Sequence, residues 1–337
     1  MYTGRKYLYT YCYFLLICLF SIQNTIINPA RSAITYDLGD RLGDNLAAYC
    51  HARWLSHIHN IEFVYHPFKE SEKFAFSRYH RSIDSVQNVF IRRERFDQLG
   101  TKINSTDLPI KKDEGILYSV PYFPETRYDA IKDKYMHFDI DWDNEEFMKI
   151  IRSEISPINS LHRIKLPKDR ISVAIHVRRG SGPDKSRYNQ DTPNQGPMFF
   201  IEDFPLRFPH DSFFIEQIKR LSEILNDQPM YVHIFTDIPN TNDLIEKFSK
   251  EVAKPNIIYN SRSHQADHSA YILQDFFDMM SFDCIIRPES HYSQIASRLS
   301  RAKIIIRPEE FIWQGRNLII TKVETLVRPI PKIENLY

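Results

Sequence analysis

From residue 171 onward the chain alternates short apolar runs with amphipathic ones, and this alternation restricts the fold more than any other feature. The apolar runs are Ile171–Val177, 231–236, 256–259, 284–287, 303–306 and 318–323. Between them, residues 211–226 place Phe214, Ile218, Leu221 and Leu225 on one helical face. Similar helical patterns cover Asn242–Val252, 270–282 and 292–301. Strands alternating with helices build a mostly parallel sheet covered by helices. Ligands of such sheets bind beyond the carboxyl ends of the strands, so the residues that follow each run are the ones to inspect.

The first half is less regular. Ala33–Tyr36 predicts a strand, residues 39–45 a turn, 46–57 a helix and 61–65 a second strand, which together form one βαβ unit. Residues 70–165 are charged, aromatic and weakly periodic, with one helix expected over 144–153. The stretch 164–170 (IKLPKDR) reads as a linker. It divides the chain into an N-terminal segment 1–27, a domain 28–165 and a domain 166–337, and a length of 337 residues suits two domains of about 150.

Composition removes several classes of function. With 44 Lys+Arg against 43 Asp+Glu the net charge is +1, whereas a dedicated nucleic-acid binder carries a basic excess. Only nine glycines occur where average usage gives roughly 24, so each glycine cluster marks a sharp turn or a close approach. Four of the nine are Gly39 with Gly43 and Gly180 with Gly182. Cys12 and Cys18 lie in the apolar N-terminal stretch, which leaves Cys50 and Cys284 and excludes a disulfide framework; a single bridge between them has no support. His264 and His268 have i,i+4 spacing but lack the glutamate of a zinc-protease helix, so no metal site is read there.

Residues 7–22 (YLYTYCYFLLICLFSI) carry no charge and follow Arg5 and Lys6. The run is short for a bilayer span and long for a signal core. Two readings stand, a membrane anchor or a cleaved secretory signal, and both put the folded part outside the cytosol. The Asn104-Ser105-Thr106 sequon fits that compartment in a eukaryote.

Three strand-end segments carry polar groups suited to an anionic ligand. The first is Ile175-His176-Val177-Arg178-Arg179-Gly180, where strand alternation sends His176 and Arg178 to one side and Val177 to the other. Guanidinium forks there suit a phosphate, or they are solvated surface charges. The second runs from Asp37 to Asn45 (DLGDRLGDN), a turn able to present backbone N–H groups to an anion; Asp44 or Asn45 also serves as a plain helix cap. The third is Arg287-Pro288-Glu289-Ser290-His291-Tyr292-Ser293, in which Ser290 and Ser293 reach a phosphate or Ser290 caps the helix.

In this order, with Ile234-Phe235-Thr236-Asp237 between the second half's two strand-end motifs, the chain resembles the GDP-fucose-dependent fucosyltransferase superfamily, and within it the α-1,2-fucosyltransferases. The resemblance covers roughly residues 33–65 and 171–306, and its most specific element is His-x-Arg-Arg. It implies a GT-B-like α/β fold of two Rossmann-type halves with parallel sheets and a cleft between them. It implies that Arg178 neutralises the diphosphate of GDP-fucose, while His176, Arg179 and Gly180 order the donor or the loop. Thr236, Asp237, Ser290 and Ser293 then lie near the nucleotide and its phosphates. Gly39, Arg41, Gly43 and Asn45 lie across the cleft, near acceptor and diphosphate. The chain departs from the family at Ser181, where an acidic residue is usual and Asp184 and Lys185 follow instead. Asp40 disturbs the N-terminal turn, Asp44-Asn45 stand where Asn-Gln or Asn-Asn is usual, and the tryptophans that often follow Tyr292 are absent.

The implied reaction is a single displacement with inversion that delivers an α-L-fucoside to a glycan hydroxyl without metal. Its partners are the nucleotide-sugar donor and a glycan acceptor, with the membrane reached through residues 7–22 if these are retained. Positive charge grows on the ring and negative charge on the leaving diphosphate, where Arg178 would act. Asp44 is the only base suggested for the acceptor proton. Two alternatives remain: a Mn-dependent GT-A-type enzyme using Asp139 and Asp141, or a non-catalytic nucleotide- or sugar-binding relative.

Overall fold

Residue Ala33 begins a strand, β1 (Ala33–Tyr36), that is buried along its whole length. It runs through the middle of a five-stranded sheet with β2 (Glu62–Tyr65), β3 (Arg81–Ser82), β4 (Arg92–Arg95) and β5 (Ile116–Val120), in the order β3-β2-β1-β5-β4. All its pairings are parallel. The computed structural model describes residues 31–86, 89–95, 104–121, 140–179, 205–238, 240–262, 271–315 and 317–328. The N-terminal apolar run, Gly180, Ser181, Asp139, His264 and His268 lie outside the described residues. Among the described residues no helix is long and apolar enough to cross a membrane.

Helix α1 (Leu42–His59) follows β1 and starts at Leu42, one turn before the expected residue 46. It is buried almost all round, from Leu42 through Ser56, because it lies between the first sheet and helices of the second half. Asn60 ends it in the left-handed conformation and returns its N–H to His57 O. Helix α2 (Glu145–Glu154) is capped by Asn144, whose Oδ1 accepts from Phe147 N at 2.9 Å. The buried carboxylate of Glu154 then ties α2 to α1, accepting from Tyr49 Oη at 2.7 Å and Arg53 Nε at 3.1 Å.

The second sheet contains β6 (Ile171–Val177), β7 (Met230–Thr236), β8 (Ile257–Ser261), β9 (Cys284–Ile286), β10 (Ile304–Gln314) and β11 (Asn317–Val327). Its order is β11-β10-β9-β6-β7-β8, and every pairing is parallel except the β10–β11 hairpin. Connecting helices are α3 (Asp211–Ile224), α4 (Asn242–Val252), α5 (Ile272–Met279) and α6 (His291–Leu299). Expected runs and observed elements agree within a few residues except at β10. That strand pairs with β9 only over Ile304–Ile306 and continues as a two-stranded ribbon, where exposure breaks the apolar run.

Side chains alternate across β6, and the alternation divides the core. Ala174 joins a cluster that also holds Ile34, Tyr36, Leu46 and Tyr49 of the first half and Phe276, Ile285 and Ile295 of the second. Val173, Ile175 and Val177 point the other way, onto Phe214 and Ile218 of α3 and Phe248 of α4. The two sheets therefore share one core through α1 and α6. Cys50 and Cys284 are both buried free thiols, so no bridge joins them.

Where the halves meet, Gly43 of α1 rests against the backbone of α6. A Cβ there would lie 2.7 Å from Tyr292 Cα and 3.0 Å from His291 C, and backbone cannot yield as a flexible side chain can. Gly43→Ala is expected to destabilise the fold by about 1–3 kcal/mol. A thermal melt should show a drop of several degrees, and an unchanged melt would contradict this contact.

Candidate functional site

Each sheet has one place where the chain reverses its direction of travel across the strands. In the first it moves outward from β1 to β2 and β3, then returns to the other side of β1 with β4 and β5. In the second it moves from β6 to β7 and β8, then returns beside β6 with β9. Such reversals open a crevice at the carboxyl ends of the strands, where ligands bind. Tyr36 and Val120 end the first crevice, Val177 and Ile286 the second. All three motifs singled out by sequence follow these strands.

The turn after β1 is braced from within. Asn45 Oδ1 accepts from Gly39 N at 2.9 Å, and Asn45 Nδ2 donates to Gly39 O at 3.2 Å and Arg41 O at 3.0 Å. Neither Asp44 nor Asn45 is the helix cap. Arg41 occupies that position in extended conformation, with no side-chain cap bond, and Asn45 turns back onto the loop instead. Asp37 is engaged on the far side of the sheet, accepting from Arg93 Nη2 at 2.8 Å and Ser119 Oγ at 2.6 Å.

Alternation continues past the end of β6 and separates its two arginines. His176 and Arg178 share the face of Ala174, toward the first half, and the His176 ring lies 5.6 Å from that of Tyr292 on α6. Burial drives His176 down to about 4, with Asp237 opposing and Arg178 and Arg287 assisting, so the ring is neutral at neutral pH. Among the described residues its buried Nδ1 has no hydrogen-bond partner. Arg178 is half-buried, with its guanidinium 5.2 Å from the centre of the Phe208 ring.

Arg179 takes the opposite face. It is buried in an ion pair with Asp211 at the start of α3, and Lys247 Nζ reaches the same carboxylate at 2.8 Å. Its backbone N–H donates to Asp237 Oδ1 at 2.7 Å. Arg179 thus fastens the loop from behind, and Asp237 holds it through the backbone. Thr236, aligned with Val177, also belongs to the rear face, and its buried hydroxyl has no partner among the described residues. The strand alternation that directs Arg178 forward necessarily directs Arg179 and Thr236 back.

Beyond β9, Arg287 is buried and Ser290 stands at the N-cap position of α6. The expected side-chain cap is not formed. Ser290 O instead accepts from Gln294 N at 2.8 Å and from the buried Ser293 Oγ at 3.4 Å. The helix start therefore keeps a field favourable to an anion, without a side-chain oxygen competing for its N–H groups.

The two crevices meet. His291, the first residue of α6, places Nδ1 2.7 Å from Asp44 Oδ1 in the first turn of α1. Burial works against the Asp44 charge, but the His291 hydrogen bond, with Arg207 and Arg178 nearby, outweighs it and holds the carboxyl below the usual carboxylate range. Arg178 and Asp44, from opposite halves, therefore stand close enough for their charges to interact. Sequence reading passed over His291 and Arg207. His291 was visible only as a residue inside a helix-start motif, and Arg207 lies in a short 3-10 turn, Pro205–Arg207, with no periodic context.

No family model matches the chain. No curated protein matches it either. Among solved structures, FUT1 of Arabidopsis thaliana, a mutant in complex with GDP, is similar at 10% identity and TM-score 0.50, over 83% of this chain and 71% of that one. POFUT1 in complex with GDP-fucose is similar at 12% identity and TM-score 0.42, over 81% and 94%. NodZ, an α-1,6-fucosyltransferase soaked with GDP-fucose, is similar at 11% identity and TM-score 0.41, over 89% and 99%. The likeness is one of fold. The likeness to FUT1 agrees with the α/β architecture of two parallel sheets expected of a GT-B protein.

Among the described residues no cluster of three or more His, Cys, Asp or Glu side chains is arranged to hold a metal ion. Asp141, from the Asp139/Asp141 pair, accepts from Asp143 N at 3.0 Å in the turn leading into α2. A polar cleft of about 400 Å³ lined by Arg53, His57, Tyr79, His80 and Arg81 lies at the amino end of β2, away from both crevices.

The neutral burial of His176 has a consequence for stability. The folded state resists a proton that the unfolded chain accepts, so stability is full above the unfolded value of 6.5 and falls as pH drops toward about 4. Urea denaturation across that window should show less of this slope in His176→Gln. An identical slope in both proteins would contradict the burial of a neutral ring.

Proposed function

We propose that the chain transfers L-fucose from GDP-fucose to a glycan hydroxyl, with inversion and without a metal ion. Among the linkages of the superfamily, α-1,2 is the one its motifs most resemble. Arg178 carries the reading. It stands at the end of the central strand, on the cleft face, near enough to Asp44 across the cleft to hold that carboxyl down. Support comes also from the similar fold of Arabidopsis FUT1, whose structure holds GDP.

In this scheme the diphosphate lies over the second crevice, between Arg178, the start of α6 and buried Arg287. Breaking the bond between sugar C1 and the phosphate oxygen leaves an electron pair on the diphosphate, and a fixed guanidinium stabilises that growing charge. The acceptor hydroxyl attacks C1 from the opposite side, next to the α1 turn and Asp44. Arg179, Asp237 and Asp211 hold the loop that presents Arg178. Residues 7–22 anchor the chain or direct its export, so that transfer takes place outside the cytosol.

Arg178→Ala is expected to lower turnover by about 10²–10³-fold, the size of losing one charge-stabilising donor. Arg178→Lys should recover only part, since a point charge does not replace a planar fork. Fucosyl transfer assayed in EDTA is expected to persist. Wild-type-like transfer by Arg178→Ala would remove the centre of the scheme, and loss of transfer in EDTA would overturn its metal-free step.

A further inference from the structure

Asp44 and His291 are 247 positions apart and meet at 2.7 Å, one from the switch point of each half. Both remain at the edge of solvent, with side-chain exposures of 19% and 15%, so the pair borders the cleft rather than the closed core. A carboxylate kept ionised can only accept a hydrogen bond, so His291 Nδ1 must carry the shared proton. In the neutral ring the lone pair then resides on Nε2. The charged groups that face the pair are Arg178 from the end of β6 and Arg207 from the 3-10 turn. Behind it, Tyr292 faces Asp275 and Asp278, with Arg262 opposing them.

We propose that His291 Nε2 takes the proton of the attacking hydroxyl, with Asp44 as the positioning residue that fixes the ring and stabilises the imidazolium. The inference rests on the fucosyl-transfer reading and changes its base from Asp44 to His291. Asp44 alone is poorly suited to that role, because the hydrogen bond and cations that hold its proton affinity down also weaken it as a base. As the acceptor oxygen bonds to C1, the O–H bond breaks toward Nε2 and the C1–O pair leaves with the diphosphate. Solvent removes the proton after GDP departs. The oriented ring resembles the acid–base arrangement in which a carboxylate sets the tautomer and does not itself take the proton.

The test compares wild-type full chain with His291→Asn and Asp44→Asn. An asparagine amide occupies the place of Nδ1 and can still donate to Asp44, but supplies nothing at Nε2. GDP release from GDP-fucose, with water and lactose as acceptors, is followed from about pH 5 to about pH 9. His291→Asn should lose about 10²–10⁴-fold in kcat and the acid-side fall in rate, while its melting temperature and its shift with GDP stay as in wild type. Asp44→Asn should also slow the reaction and displace the acid limb. A rate within about threefold of wild type and an unchanged pH profile in His291→Asn would make the pair a latch between the halves and overturn the proposal. Absence of GDP release from the wild type would instead sink the fucosyl-transfer reading, a failure recognisable because all three proteins share it.

Discussion

The contact of α1 with α6 sets the geometry on which everything else depends. Gly43 lets two helix backbones approach where a methyl group would collide with Tyr292 Cα at 2.7 Å. That approach brings the first turn of one helix to the first turn of the other and so joins the crevices of two separate sheets. The shared hydrophobic cluster behind it, from Ile34 and Tyr49 to Phe276 and Ile295, holds the halves in register. Without the close approach, Asp44 and His291 would not meet, and Arg178 would face solvent instead of a second wall.

Strand alternation then distributes roles among neighbouring residues. Along β6 and the two residues that follow it, His176 and Arg178 face the cleft, whereas Val177 and Arg179 face α3. A run of two arginines is therefore one guanidinium turned to the cleft and one for the scaffold. Burial of Arg179 is tolerable because the buried carboxylate of Asp211 pairs with it, and a lone buried cation would be costly. The same logic places Arg287 on the cleft side after β9 and keeps a cationic surface where two helix starts converge.

The second half was legible because its periodicities are long and clean. Ile171–Val177 and Asn242–Val252 match the expected bounds. The first half was harder to read because β3, β4 and β5 sit among charged residues, and β4 (Arg92–Arg95) is an exposed strand with no apolar pattern. The site was legible as three segments but not as a pairing. Asn45 looks like a cap or a ligand contact in sequence, and only the folded turn reveals it as a brace. His291 carries no local signal for its bond to Asp44, since a contact between residues so distant in sequence depends on how two helices pack.

The most direct test of the joined-crevice account is amide hydrogen exchange on the full chain with and without millimolar GDP. The account predicts slowed exchange at residues 174–179 and 287–294, on the two strand ends that flank the second crevice, with a smaller effect on the turn at 37–45. Protection confined to the polar cleft around Arg53 and His80, or no protection anywhere, would contradict it.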